Sequence, residues 1–291
     1  MNEKPIEILH LGHFGVGGIY GLCPENKEVN DGQKWLTEIK RKVLELVPNP
    51  DVIIFGGELL EGRNVKNHQE DIFLSLEEQI DGAVKLMREF ISENTKEIII
   101  PFAHDYHGSS EMRIENIIRD RLKDSYPDKS IVSGTYIERK YLDKTFRFIH
   151  GSGGGTQRLL SKPESDIRMN LQQYALDKAN KIDRYYSYHT HRLAEGGIEN
   201  IRNITCPAFK LTDTGGQMRN PDAWLPDVGV LITTVEEKYG EVRVRDDPVI
   251  FKPSFHIEEL ENTVKNWIKD NIMLKETNIR FTSERDLILP S

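Results

Sequence analysis

Residues Ile8 to Gly18 read ILHLGHFGVGG: an apolar run ends and His13 follows at once, set among glycines. The first half reads as a buried strand. The second half reads as a loop with few side chains, in which the backbone can approach a ligand closely. In α/β proteins, ligands bind beyond the carboxyl ends of the strands. The segment is therefore a strand that delivers an imidazole to such an edge.

Outward from it, strand and helix signals alternate. DGQKWLTEIKRKVLELV (31–47) has helical spacing, with Trp35, Ile39, Val43 and Leu46/Val47 on one face. DVIIF (51–55), EIIIPF (97–102), FRFIHG (146–151) and RYYSYH (184–189) read as short buried strands. Helices are expected over about 69–92 and 109–123, and from the Ser161-Lys-Pro-Glu164 start to about Ile182. β-branched and aromatic runs dominate from Ile198 to Val244, with a hairpin at Gly240. FHIEELENTVKNWIKDNI (255–272) reads as a late helix before a tail. The pattern predicts a mixed α/β layered fold. We assign residues 1–250 to one domain and 251–291 to a C-terminal helix and tail that pack on it or extend from it.

Composition narrows the class. The 291 residues are 30% charged and 37% hydrophobic, with a formal net charge of −8. That balance suits a soluble globular protein. It argues against a general nucleic-acid or anionic-membrane binder, while leaving room for a local basic patch. Two cysteines offer no disulfide framework. The polar start MNEKPIE is no signal peptide, and no run reaches a membrane span. The expectation is a cytoplasmic protein with no membrane partner.

Six of the nine histidines follow predicted strands: His13, His104, His107, His150, His189 and His191. A lone loop histidine is ordinarily solvated, but YHTHR (188–192) places two within three residues. An extended strand would aim both the same way, and a turn could converge them on one ion or two. His10 reads as core; His68 and His256 read as surface or capping residues.

The order of these pieces resembles the calcineurin-like metallophosphoesterase superfamily, closest to its stand-alone members from phages and mobile elements. That family carries Asp-x-His, Gly-Asp, Gly-Asn-His (or Gly-Thr-x-x-His), a His-Gly or His-His turn, and Gly-His-x-His, in that order. Here the corresponding segments are GHFGVGG, FGGELLEGR, PFAHDYHGSS, FIHGSGGG and YHTHR, followed by CPAFKL and PDVG. The match spans about residues 6–236. The resemblance implies a four-layer α/β/β/α sandwich, with two facing mixed sheets flanked by helices. It also implies a two-metal site that hydrolyses phosphate esters. It places His13, Glu58, His150, His189 and His191 at metal-ligand positions, with Asp105 as a further candidate ligand. His104 or His107 falls at the position of the catalytic acid.

Several positions depart from the family. His13 stands for an Asp, Gly15 for a ligating His, Glu58 for the bridging Asp, and Phe102-Ala103 for Gly-Asn. Tyr188 stands for the Gly before the His-x-His pair. Such a histidine-rich, carboxylate-poor set favours a divalent transition metal (manganese, zinc, iron or nickel) over magnesium, and one ion rather than two. Arg158 and Arg192 lie beside histidine motifs and are candidates for holding phosphate oxygens.

The expected activity is metal-dependent hydrolysis of a phosphate mono- or diester, with nucleotide and nucleic-acid esters among the candidates. The alternative is a sandwich retained as a binding or structural module without catalysis. A different metal-centred hydrolase or a metal sensor is a third reading.

Overall fold

The computed structural model describes residues 4–62, 74–103, 113–151, 161–176, 179–211 and 226–253. The elements run β1 (Ile6–Gly12), α1 (Asp31–Leu46), β2 (Val52–Gly56), α2 (Leu76–Phe90), β3 (Glu97–Pro101), α3 (Ile114–Ser125) and β4 (Ser130–Gly134). They continue β5 (Tyr136–Tyr141), β6 (Lys144–Ile149), α4 (Ser161–Ala175), β7 (Arg184–Ser187), β8 (Ala194–Ile198), β9 (Ile201–Thr205), β10 (Val228–Lys238) and β11 (Glu241–Phe251).

Two mixed sheets result, in the orders β11-β10-β1-β2-β3-β4 and β5-β6-β7-β9-β8. In the first, β1 to β4 are parallel neighbours and β10 closes antiparallel on β1. In the second, β6, β7 and β9 are parallel, with β5 and β8 antiparallel at the edges.

The apolar runs explain the layering. Adjacent residues of a strand point to opposite faces, so a continuous run is apolar on both. Leu9, Leu11, Ile53, Phe55, Ile98 and Ile100 pack against Leu36, Ile39 and Val43 of α1, Leu86 and Met87 of α2, and Ile118 and Leu122 of α3. Their neighbours Ile8, Val52, Ile54 and Ile99 meet Phe146, Phe148, Tyr186 and Ile204 of the second sheet. The outer face of that sheet packs Ile149, Tyr185 and Ile201 against Ile167 of α4. The order is helices, sheet, sheet, helix: the α/β/β/α sandwich.

Three element boundaries differ from the sequence reading. A capping box, in which Ser75 and Glu78 satisfy each other's backbone N–H, starts α2 at Leu76 rather than near residue 69. Residues 69–73 lie outside the described residues, as do 109–112 ahead of α3. Helix α4 ends at Ala175, short of Ile182. The Asn170 side chain binds Asn180 O and Ile182 N, which turns the chain toward β7 and buries Ile182. Strands β4 and β5 went unread because their burial is partial and their alternation weak. β11 extends one residue past the expected boundary at 250. The late helix and tail at 254–291 lie outside the described residues. No described helix is long and apolar enough to cross a membrane.

Candidate metal centre

The ends of four parallel strands converge. β1 stops at Gly12 and gives His13; β2 stops at Gly56 and gives Glu58. β6 gives His150, and β7 gives His189 and His191. The two loops of the first sheet continue its ladder, through His13 N to Gly56 O (2.9 Å) and Gly15 N to Glu58 O (3.0 Å). The loops of the second sheet are joined by Tyr188 N to His150 O (3.0 Å).

Buried amides of the helices fasten the first-sheet loops further. Gln33 donates to Gly18 O and Asn30 to Ile19 O. Gln79 both donates to Gly62 O and accepts from Gly62 N. Such bonds fix a loop backbone that has little side-chain packing of its own.

Two triads of ligand atoms lie within 4.8 Å of one another: His13, Glu58 and His191, and Glu58, His150 and His189. Glu58 belongs to both. Its Oε2 is 3.6 Å from His13 Nδ1 and its Oε1 is 3.8 Å from His150 Nε2. One carboxylate oxygen thus faces each triad. The His13 and His191 rings meet edge-on with centroids 3.8 Å apart, and His189 Nδ1 lies 3.1 Å from His150 Nε2. His189 and His191 serve different triads because β7 ends at Ser187 and the chain turns between them.

The backbone is strained here. His13 (φ 33°) and His191 (φ 54°) occupy the left-handed region, uncommon for residues with a side chain. Such outliers cluster at functional sites. Gly57 is required: it has φ 76°, and a Cβ there would collide with the His13 ring. His13 is 1% exposed. Burial holds its imidazole well below the ordinary range; His191 adds to the effect, and the Glu58 carboxylate opposes it only in part. It is therefore neutral, the form that binds metals. Its Nε2 has no hydrogen-bond partner among the described residues. Its Nδ1 accepts from Glu58 N at 3.3 Å and faces Glu58 Oε2, so a cation would bind at Nδ1 in place of that bond, among donors whose imidazole and carboxylate chemistry suits it. The residues present fit divalent transition ions.

Gly15, which stands for a ligating His, offers no side chain, and the space beside it is occupied. A buried ion pair, Lys210 Nζ to Glu61 Oε2 at 2.8 Å, fills that space. A Cβ on Gly15 would lie 3.1 Å from Lys210 Cδ and 3.3 Å from Glu61 Oε2. The nitrogen donors divide between the two oxygens of the Glu58 carboxylate. Phe14 packs in the helix-side core against Phe55 and Phe209, and Tyr188 lies across Gly56.

The other candidates are placed as follows. His104, Asp105, His107 and Arg158 lie outside the described residues, as do His68 and His256. The root of the third loop is held by α3: Glu115 accepts from Ala103 N, and the Arg113 guanidinium covers Phe102. Arg192 is half-buried, and its guanidinium makes no hydrogen bond or ion pair with the described residues. Glu61, Lys210, Gln33 and Gln79 escaped the sequence reading. Only Glu61 carried a signal, as the second carboxylate of FGGELLEG.

No protein-family model and no curated protein matches the chain. Among solved structures, the chain is similar to an archaeal phosphodiesterase at 13% identity, covering 84% of this chain and 100% of that one with a TM-score of 0.41. It is likewise similar to zinc-complexed Vps29 from Entamoeba histolytica, at 13% identity, 84% and 99% coverage and a TM-score of 0.40. Vps29 from Cryptosporidium parvum gives 14% identity, 86% and 100% coverage and a TM-score of 0.39. Likenesses at this level assign no activity.

Proposed function

We propose that the chain is a metallophosphoesterase whose two-ion centre is bridged by Glu58, hydrolysing a phosphate mono- or diester. The observation that carries this reading is the division of the Glu58 oxygens between two imidazole pairs. His13 and His191 would hold one ion with Glu58; His150 and His189 would hold the other with it. Manganese, zinc, iron and nickel suit such nitrogen-rich donors. When bound, a divalent pair supplies Lewis-acid charge at the phosphoryl oxygens and acidifies water.

The remaining chemistry belongs to the chain. Bonds between the loops of each sheet hold His13 beside Glu58 and His150 beside the chain before His189, which limits reorganisation of these donors. His104 or His107 donates the proton to the leaving oxygen, a task for a group titrating near neutrality. Arg192, one residue beyond His191, orients phosphate oxygens, with Arg158 as its partner in that role.

A second reading, a binding module without catalysis, is favoured by one observation: the Lys210–Glu61 pair occupies the space of the missing ligand at Gly15. Elemental analysis together with turnover of aryl phosphate mono- and diesters in manganese or zinc separates the two. About two ions per chain, with turnover lost in Glu58→Gln, supports the enzyme. About two ions with no turnover supports the module. No bound ion and no turnover overturns the enzyme and supports the module.

A further inference from the structure

The donors of the centre come from two sheets. His13 and Glu58 follow β1 and β2; His150, His189 and His191 follow β6 and β7. The sheets meet through apolar side chains such as Ile54, Phe148 and Ile204, whose contacts carry no direction. Polar bonds across the gap fix their relative position more finely. Alternate residues along β7 and just past it, Arg184, Tyr186 and Tyr188, supply such bonds from the inward face. Arg184 Nε lies 3.4 Å from Asp246 Oδ2, and Tyr186 donates to Asp246 Oδ1 at 2.8 Å. Thr233 gives its proton to Asp246, so His10 Nε2–H donates to Thr233. His10 Nδ1 is left to accept from the Tyr188 hydroxyl, at 2.8 Å.

Of these three, Tyr188 stands beside the centre. It precedes His189 and occupies the position where the family pattern has Gly. Its ring covers Gly56, where a Cβ would lie 2.2 Å from Tyr188 Cγ. Gly56 ends β2 two residues before Glu58, and its O accepts from His13 N. Tyr188, His10 and Thr233 are fully buried, and a hydrogen bond gains strength in such low-dielectric surroundings. The Cys206 thiol also meets the Tyr188 hydroxyl, but from the same sheet. We propose that Tyr188 is a positioning residue of the metal centre: its bond to His10 sets the second-sheet imidazoles against the first-sheet donors. This rests on the metal-centre reading above. Ligand distances tolerate only about 0.2 Å of error. Outer partners that orient metal ligands govern affinity by about 10–100-fold.

The test uses the full chain and cobalt(II), followed by titration and by its visible absorption, which reports coordination geometry. Tyr188→Phe keeps the ring over Gly56 and removes the bond. It should loosen cobalt about tenfold and shift the absorption. His10→Leu removes the same bond from the other sheet and leaves Cys206 in place. It should match that loss, and the double variant should add little to either. Tyr141→Phe controls for the loss of a buried phenol bond between the sheets. Tyr141 donates to Glu97 Oε2 at 2.9 Å, at the end of the first sheet opposite the ligands. This variant should lower the urea midpoint as Tyr188→Phe does, yet leave cobalt affinity within about twofold. Unchanged cobalt affinity and absorption in Tyr188→Phe, an equal loss of affinity in Tyr141→Phe, or additive losses in the double variant overturns the proposal and leaves the metal-centre reading standing. Failure of the wild type to bind cobalt, manganese or zinc overturns that reading and the proposal with it.

Discussion

Replacing His10 by Gln should flatten the dependence of stability on pH. His10 lies fully buried between the sheets, with Nδ1 at 2.8 Å from Tyr188 Oη and Nε2 at 3.0 Å from Thr233 Oγ1. Thr233 spends its own proton on Asp246 at 2.7 Å. Nε2–H therefore donates to Thr233, and Nδ1 accepts from Tyr188. Burial away from water disfavours a second proton on the ring and pushes His10 down to about 3. The unfolded chain titrates near 6.5. Since the folded value is the lower one, the contribution is fully present above pH 6.5 and is lost as pH falls toward 3. Each pH unit in that window costs about 1.4 kcal/mol, so pH 5 costs about 2 kcal/mol through His10. Gln offers one acceptor and one donor without titrating. Urea unfolding of both proteins at pH 7.5 and pH 5 should show the wild type losing about 2 kcal/mol more than His10→Gln. His13, also held neutral by burial, is common to both and cancels. Losses that agree within about 0.5 kcal/mol would refute the argument that His10 is buried in its neutral form.

Lys210→Met leaves the Glu61 carboxylate buried without its cation and should cost about 3–5 kcal/mol, read by chemical denaturation; adding Glu61→Leu should recover most of it. Gly15→His places a side chain at φ 57° against Lys210. It should destabilise by about 1–3 kcal/mol without raising the number of bound ions, read by calorimetry and elemental analysis. His191→Ala and His189→Ala each remove one donor from a different triad. Each should lower the bound metal by about one ion per chain, whereas Glu58→Gln should deplete both, measured by elemental analysis after dialysis.

The local pattern determined a layered α/β fold and the strand ends at which the histidines gather, and the resemblance supplied the four-layer sandwich. Runs such as VIIF and EIII, apolar at every position, must be buried on both faces, and that alone requires two layers against each strand. A histidine or glutamate placed just past each run marks the ligand-bearing edge, because a strand's end is a local property of the chain. His13, Glu58, His150, His189 and His191 were legible for that reason, and so was His10 as a core residue.

Only the tertiary structure decided how those groups are shared. Lys210 and Glu61 are 149 residues apart in the chain, and no spacing couples them; they meet because β10 returns beside β1 and brings the preceding segment against the first loop. The division of Glu58 between two imidazole pairs depends on the facing of two sheets, in which β1 and β2 are remote in sequence from β6 and β7. The left-handed turn at His191 goes with its placement on the other side of that carboxylate from His189. Periodicity along a chain fixes which face of an element is buried. Which charge lies against which is set by the packing of elements remote in sequence, and here that packing decides which imidazoles face which oxygen of Glu58.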